Sequence, residues 1–348
     1  YAYVSIIEVS LKLLIVFMLT WITYDKLKLY GILHFGVVFI IAAIYRVYTR
    51  RNFEESKFEF VNDQKLYKTL ISYSGWNLFG NIAAVAKGQG VNILLNIFYG
   101  PVVNAARGIA MQVQSAVNSF VSNFQMAVNP QIIKSYAADE REYMYSLVIR
   151  GSKFSFYLLF FLSLPIMIEV DQILKLWLKT VPDYSSIFTI LVLVIILIDC
   201  VSGPLMTAIQ ATGKIKVYQA VVGSLLMLIL PISYFLLELG YSPEITLYVN
   251  IVISIIALSF RLYLVWKLLE FPIQRFVEEI ILKNILIVLL SLSLPLLIRI
   301  SMDEHFIRLI VIVFVTLIWN AVIIFSLGLQ KSEKAIVIRG INKILKRT

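Results

Sequence analysis

Long apolar runs constrain this chain more than any other feature of its sequence. Two of them read IFTILVLVIILID, residues 187–199, and NILIVLLSLSLPLLI, residues 284–298. A helix needs about 20 mainly apolar residues to cross a bilayer. The chain is 60% hydrophobic, which exceeds the proportion in ordinary soluble domains. The sequence therefore predicts an all-α, polytopic membrane protein.

The apolar runs divide into about ten spans, which predicts that the two ends of the sequence lie on the same side of the membrane. Cytoplasmic connections between membrane helices are rich in Lys and Arg. One alternating set of connections holds 22 of the 31 basic residues, and the other set holds 7. This bias predicts that both ends are cytoplasmic, and it explains the net charge of +10 without nucleic-acid binding. The approximate limits of the spans are 3–22, 30–49, 70–98, 104–130, 147–169, 185–211, 216–238, 244–266, 280–300 and 306–328.

The sequence offers little for metal, cofactor or enzymatic chemistry. Cys200 is the single cysteine, and the two histidines, His34 and His305, lie far apart in sequence. No Walker A, dinucleotide or HExxH motif occurs. We therefore expect no metal site, no cofactor and no enzymatic activity.

The fourth span carries a polar stripe that is unusual for a membrane helix. At about 100° per residue its members stay on one face. One interpretation is hydrogen bonding between helices, for which Asn and Gln are well suited. A stripe of five residues favours the other interpretation, the wall of a water-filled cavity. The stripe consists of Arg107, Gln114, Asn118, Gln125 and Asn129.

The third span, within GWNLFGNIAAVAKGQGVNILLNIFYGP, contains a lysine at its middle. Lys87 lies too far from either helix end to reach the membrane surface, so it needs a counter-ion, a cavity or an anionic ligand. An ideal helix places Lys87 away from the four asparagines. Either it serves a different surface, or Gly88 and Gly90 break the helix there. The asparagines form their own polar stripe and are Asn77, Asn81, Asn92 and Asn96.

Asp199 is the matching acidic residue, near the middle of the sixth span and beside a predicted kink at Gly203–Pro204. It can pair with Lys87 or Arg107, or it can bind a coupling ion, either a proton or sodium. In the first span, Glu8 and Lys12 are four residues apart and are predicted to neutralise each other.

Several segments together resemble the Wzx-type oligosaccharide flippases of the multidrug/oligosaccharidyl-lipid/polysaccharide (MATE-like) exporter superfamily. They are GWNLFGNIAAVAKGQGVNILLNIFYGPVVNAARGIA, AVNSFVSNFQMAVNPQIIKSYAA, RGSKFSFYLLFFLSLPI and SGPLMTAIQATGKIKVYQAVVG. The resemblance covers residues 70–267, and more loosely both flanks. It implies a fold with two lobes, of which the first is incomplete in this N-terminally truncated sequence.

The resemblance assigns a place in that fold to each part of the sequence. Residues 1–68 would be the last two helices of the N-terminal lobe and a cytoplasmic link. Residues 69–267 would be a six-helix C-terminal lobe. Residues 268–348 would be two extra helices and a basic amphipathic tail, which the residues alone also indicate for positions 337–347.

The resemblance also implies a function in the bacterial inner membrane. Relatives move undecaprenyl-pyrophosphate-linked oligosaccharide repeat units from the inner to the outer leaflet, for capsule, O-antigen or exopolysaccharide synthesis. Their partners are this lipid-linked substrate, membrane lipids and the polysaccharide polymerase machinery. The basic cavity residues of relatives, which meet the pyrophosphate, correspond by type to Lys87 and Arg107, while the amides suit sugar hydroxyls.

Two other functions stay open at the level of sequence. A cation-coupled multidrug exporter of the same superfamily would use Asp199 as its ion site. A membrane enzyme that transfers lipid-linked glycans would need an outside acidic loop, and residues 170–184 offer only Asp171 and Asp183. Two cations and many amides in the polar stripes favour the flippase.

Overall fold

The computed structural model describes residues 2–21, 25–56, 62–335 and 338–339, and all regular structure in these ranges is helical. The predicted tail at 337–347 therefore lies outside the described residues, except for positions 338 and 339. The chain forms two compact units, residues 1–67 and residues 68–348. Each unit is described by itself below.

The first unit contains a pair of apolar helices, α1 (Ala2–Trp21) and α2 (Lys26–Asn52), followed by a short 3-10 turn at Glu54–Ser56. Asp25 begins α2 by accepting hydrogen bonds from the backbone N–H groups of Leu27 and Lys28, which a helix N-terminus would otherwise leave unpaired. Lys12 Nζ lies 2.6 Å from Glu8 Oε1 on α1, which confirms the predicted pair.

The second unit holds the rest of the helices. Two of them continue as short π-helical turns, α10 at Val277–Leu282 and α12 at Ile324–Gly328. The helices are α3 (Gln64–Ala137, beginning in the last residues of the first unit), α4 (Arg141–Ile168), α5 (Val170–Trp177), α6 (Ser185–Cys200), α7 (Ser202–Ala211), α8 (Lys216–Glu238), α9 (Ile245–Leu269), α10 (Ile273–Phe276), α11 (Lys283–Ser301) and α12 (Phe306–Ile323).

Nine helices in the described ranges are long and apolar enough to cross a membrane, so this is a polytopic, membrane-embedded helical protein. One of the nine, α3, is 74 residues long and bends back on itself at Gly100, where φ is 77°. Gly tolerates this left-handed conformation, and Pro101 after it cannot continue the hydrogen-bond ladder. The two arms, residues 64–99 and 101–137, each exceed the length of one crossing, which accounts for the ten spans expected from sequence.

The contacts within α3 show that its two arms lie side by side. Arg107 Nη2 donates a hydrogen bond of 3.3 Å to the carbonyl oxygen of Gly88. In a straight helix these residues would be roughly 28 Å apart. The helix is continuous through Gly88 and Gly90, so the predicted alternative of a break there is wrong. Gly90 instead makes room for Leu230 of α8, whose side chain would clash with any added Cβ.

The sixth span is interrupted as the sequence predicts, because α6 ends at Cys200 and α7 begins at Ser202. Pro204 has no N–H to donate to the carbonyl of Cys200, four residues earlier. That carbonyl instead accepts a 2.9 Å hydrogen bond from Gln125 Nε2, and the Val201 carbonyl accepts a 2.8 Å bond from Ser152 Oγ.

Two buried ion pairs join α4 to the C-terminal helices. Lys153 Nζ lies 2.6 Å from Glu333, which is in a helical turn at 331–335, and Arg308 Nη2 lies 3.1 Å from Glu169 Oε2. Glu169 is the last residue of the fifth predicted span, 147–169, yet only 1% of its surface is exposed.

The buried cations change the count that predicts orientation. The 22 basic residues counted above include Lys153 and Arg261, and the 7 in the opposite connections include Arg107 and Arg308, but all four are buried. Without these four, one set of connections holds 20 basic residues and the other holds 5, so the charge bias that predicts cytoplasmic ends is still present.

Candidate functional site: a cationic cavity in the second unit

A cavity of about 310 Å³ lies among α3, α6, α8 and α9, and charged side chains converge on it. The first arm of α3 contributes Lys87, and the second arm contributes Arg107 and Gln114. Its remaining polar lining is Asp199, Asn250, Ser254 and Arg261. The structure therefore brings together Lys87, Arg107 and Asp199, which lie on three different predicted spans.

The bend of α3 positions two of the cations. Because its arms run side by side, Lys87 and Arg107 face the same space from adjacent helices. Ala83, Ala106 and Ala110 on these arms are fully buried, and small residues let membrane helices approach closely.

The guanidinium groups in the cavity are buried and incompletely paired. Arg107 is 6% exposed, and its Nη2 donates to the carbonyl of Gly88, while its Nε and Nη1 find no partner among the described residues. Arg261 is 7% exposed and donates 3.1 Å from Nη1 to Ser202 Oγ, while its Nε has no partner in the part of the chain that the structure describes. A buried cation without partners is costly, so these donors favour an anionic ligand or ordered water in the cavity.

The charges around Lys87 act in opposite directions. Asp199 attracts its ammonium group, whereas Arg261 and Arg107 repel it. No ion pair within 4.0 Å joins Asp199 to a cation in the described ranges of the chain. The three cations and one carboxylate give the lining a formal charge of +2, so the cavity as a whole attracts anions.

Uncharged polar groups complete the wall. The hydroxyl of Ser254 and the side-chain oxygen of Asn250 are buried and have no partner within the described ranges, and Gln114 is half-buried. These groups can donate to or accept from hydroxyls or phosphoryl oxygens of a ligand.

The polar stripe of the second arm serves two purposes. Arg107 and Gln114 line the cavity as predicted. Gln125 instead bonds to Ser155 Oγ at 2.9 Å and to the Cys200 carbonyl, so here the helix-bonding interpretation is correct. Asn118 bonds within its own helix to Ser122 at 3.5 Å, and the side-chain oxygen of Asn129 is buried with no partner among the residues described.

The asparagine stripe of the first arm does not line this cavity. Asn77 accepts a 2.9 Å hydrogen bond from Gln219 of α8, and Asn92 donates to Gln89 at 3.2 Å. Asn81 and Asn96 are exposed. Lys87 therefore serves a different surface from the asparagines, which is one of the two alternatives that the helical angles left open.

Sequence reasoning missed Arg261, Asn250 and Ser254. Arg261 was assigned to a connection because it lies near the end of the eighth predicted span. A signal was nevertheless present, since residues 250, 254, 257 and 261 repeat at spacings of four, three and four, which is one helical face.

Two larger concavities in the second unit are almost wholly apolar. One, of about 690 Å³, is lined mainly by α4, α6, α9 and α11, and the other, of about 680 Å³, mainly by α4 and α12. Apolar surface of this kind is what lipid chains contact in a membrane-embedded protein. The smaller cationic cavity differs from these two in its convergent charged lining. A further concavity, of about 350 Å³, is lined by Lys175 and Glu304, but those side chains are exposed, so the cationic cavity is the candidate site.

The fold and the site together define a polytopic helical membrane protein with a buried, net cationic cavity. Comparisons with protein-family models, curated proteins and solved structures found no match for this chain. The function is therefore argued from the cavity and from the resemblance of the sequence segments quoted above.

Proposed function

We propose that this protein is a flippase that moves a lipid-linked oligosaccharide, carried on an undecaprenyl-pyrophosphate-type lipid, from the inner to the outer leaflet of a bacterial inner membrane. The supporting observation is the cavity, where Lys87, Arg107 and Arg261 face one another with a single carboxylate. Arg and Lys are the usual partners of phosphate groups, and Arg can bind two oxygens at once.

The dimensions of the cavity favour the head group as the part that binds there. A volume of about 310 Å³ is near the lower limit of small-molecule sites, which run from about 300 to 1,000 Å³. This is room for a diphosphate and its first sugar, but not for a repeat unit with its lipid. The sugar chain and the polyprenyl chain would lie outside this cavity.

The proposal includes the two-lobed, MATE-like architecture that the resemblance implies. In it the second unit supplies the C-terminal lobe and the two extra helices. Both ends of the sequence would face the cytoplasm, as the distribution of basic residues indicates. A membrane protein without its own ATP site would draw on an ion gradient or on coupled metabolism for any uphill step.

The test compares Lys87→Arg, Lys87→Met and Lys87→Ala in cells that depend on this protein for surface polysaccharide. We expect the Arg variant to support export and the Met and Ala variants to lose it at normal membrane abundance. Normal export by the Met variant would refute a role for Lys87 in binding the anionic head group.

Failure of the variants to accumulate in the membrane would indicate a structural role for Lys87. If Met and Ala abolish accumulation while Arg preserves it, Lys87 is a structural cation, and Asp199 is the carboxylate that attracts it. A matched control is Lys175→Met, which removes an exposed cation outside the cavity and should leave export unchanged.

A cation-coupled multidrug exporter is the second candidate, because Asp199 lies in the same cavity. It predicts that Asp199→Asn abolishes drug resistance and that polysaccharide is unaffected by deletion of the gene. Accumulation of a lipid-linked intermediate on the inner leaflet after deletion would instead support the flippase.

A further inference from the structure

The turn of α4 between Gly151 and Ser155 packs against the interruption between α6 and α7. Ser152 Oγ donates to the Val201 carbonyl at 2.8 Å, and Ser155 Oγ accepts from the same Gln125 that bonds the Cys200 carbonyl. Gly151 allows close packing against Pro204, since an added Cβ would lie 3.1 Å from the ring. This turn therefore fixes the position of the interrupted helix.

The interrupted helix in turn carries part of the cavity wall. Asp199 lies two residues before Val201, and Ser202 immediately after it accepts a hydrogen bond from Arg261. A shift of residues 199–202 would therefore move a carboxylate of the cavity and remove the hydroxyl acceptor that holds Arg261.

Lys153 occupies the same turn of α4 and points to a different partner. Its Nζ lies 2.6 Å from both carboxylate oxygens of Glu333, 180 residues later, and the two side chains are 2% and 6% exposed. Glu333 Oε2 also accepts from the backbone N–H of Gln330 at 2.8 Å, and Gln330 Nε2 donates to Glu279 at 2.9 Å. The pair thus fastens the segment after α12 to the turn that holds the interrupted helix.

We propose that Lys153 and Glu333 are positioning residues, which form a latch between the C-terminal segment and the wall of the cavity. While the pair is intact, the turn 151–155 keeps residues 199–202 in place, so that Asp199 and Arg261 face the cavity. When the pair is broken, a buried charge loses its partner. The turn then shifts, and the interrupted helix loosens first, because its Cys200 and Val201 carbonyls accept hydrogen bonds from Gln125 and from Ser152 of this turn.

The chain contains its own probe for this movement. Cys200, the single cysteine, is buried at the interruption, with its Sγ donating to the Leu197 carbonyl at 3.2 Å. It also contains a matched control, because Glu169 and Arg308 form a second buried ion pair between α4 and the C-terminal helices. That pair contacts neither Val201 nor Ser202 in the described residues.

The experiment measures the rate at which a maleimide modifies Cys200 in the full chain, reconstituted in lipid nanodiscs. The variants are Lys153→Met, Glu333→Gln, the exchange Lys153→Glu with Glu333→Lys, and the control Glu169→Gln. We expect Lys153→Met and Glu333→Gln to raise the rate at least about tenfold. The exchange should restore part of the protection, and Glu169→Gln should stay within about twofold of the wild type while also lowering the unfolding temperature.

The proposal is overturned if Cys200 reacts equally fast in Lys153→Met and in Glu169→Gln when the two variants have lost the same amount of unfolding temperature. General destabilisation would then explain both rates. If Lys153→Met or Glu333→Gln fails to fold, the exchange variant is used to test the latch. A folded exchange variant that reacts as slowly as wild type supports the latch, and one that reacts as fast as Glu333→Gln contradicts it. This readout needs no ligand, so failure of the proposed flippase function would leave its result unchanged.

Discussion

The substitution Asp199→Asn should strengthen the binding of a phosphate-type anion to this protein, whereas Arg107→Met should weaken it. Both changes alter one charge in the same cavity, but with opposite sign. Asp199 is the one carboxylate of the lining, so its removal takes away repulsion against an anion. Arg107 is a buried cation, and two of its nitrogen atoms have no partner in the described part of the chain, so its removal takes away both attraction and hydrogen-bond donors.

The size of the expected change in anion binding follows from the size of the cavity. If a volume of about 310 Å³ is treated as a sphere, a ligand at its centre lies roughly 4–5 Å from the charged groups of the wall. At an effective dielectric constant of about 20, one unit charge at that distance contributes about 3–4 kcal/mol. Buffer anions compete for the site, and relaxation offsets part of the gain. We expect each substitution to change the binding free energy by about 1.5–3 kcal/mol, which is roughly a tenfold to hundredfold change in Kd.

The assay is calorimetric titration of inorganic pyrophosphate into the purified chain in nanodiscs, at fixed salt concentration. Lys175→Met is the control for general electrostatics, because it removes an exposed cation outside the cavity. Thermal unfolding of each variant separates altered binding from altered folding. If Asp199→Asn weakens pyrophosphate binding in a folded protein, or if Arg107→Met leaves it unchanged, the cavity does not act as an anion site. A cation site is favoured if Asp199→Asn also abolishes a response to sodium or to pH.

Three further predictions test the fold and the division of the polar stripe. Gly100→Ala should lower the free energy of unfolding by about 1 kcal/mol or more, because φ at Gly100 is 77°. Gly75→Ala is the control and should not lower it, because nothing lies within 4 Å of an added Cβ there. Thermal unfolding in detergent measures both variants. Gln125→Leu should destabilise the protein by about 1–3 kcal/mol and speed the modification of Cys200, whereas Gln114→Leu should weaken pyrophosphate binding with little effect on either. Unchanged stability of Gln125→Leu would contradict the assignment. Cysteines placed at Ser56 and Ser332 in a Cys200→Ala background should resist a membrane-impermeant thiol reagent applied to intact cells, and efficient labelling of either would reverse the proposed orientation.

The helical class and the approximate spans followed directly from the sequence, because bilayer thickness sets the length of each apolar run. The turn between the third and fourth spans was also predictable, since Gly100 and Pro101 together remove the hydrogen bond and supply the unusual backbone angle. The Glu8–Lys12 pair was predictable for the same local reason, a spacing of four on one helix.

Contacts between helices distant in sequence could not be predicted in this way. Lys153 and Glu333 are 180 residues apart, and Glu169 and Arg308 are 139 apart. Each of these charges looked like a residue of a connection or a helix end, because a single span gives no information about its neighbours. Arg261 was misplaced for the same reason, although the polar residues before it on α9 mark the face on which it lies.

Gln114 and Gln125 show, within one helix, what can and cannot be predicted from the sequence. They are the same residue type, three turns apart on the same stripe, yet one lines the cavity and the other bonds to neighbouring helices. The difference originates in α7, where Pro204 leaves the Cys200 carbonyl without its helical donor, and Gln125 supplies the missing hydrogen bond. The kink at Pro204 and the polar stripe on α3 could both be recognised in the sequence. What the sequence lacked was the packing that places Gln125, rather than Gln114, opposite the freed carbonyl. A glutamine on a membrane helix therefore indicates a cavity only after every unpaired carbonyl of the adjacent helices has been assigned a donor.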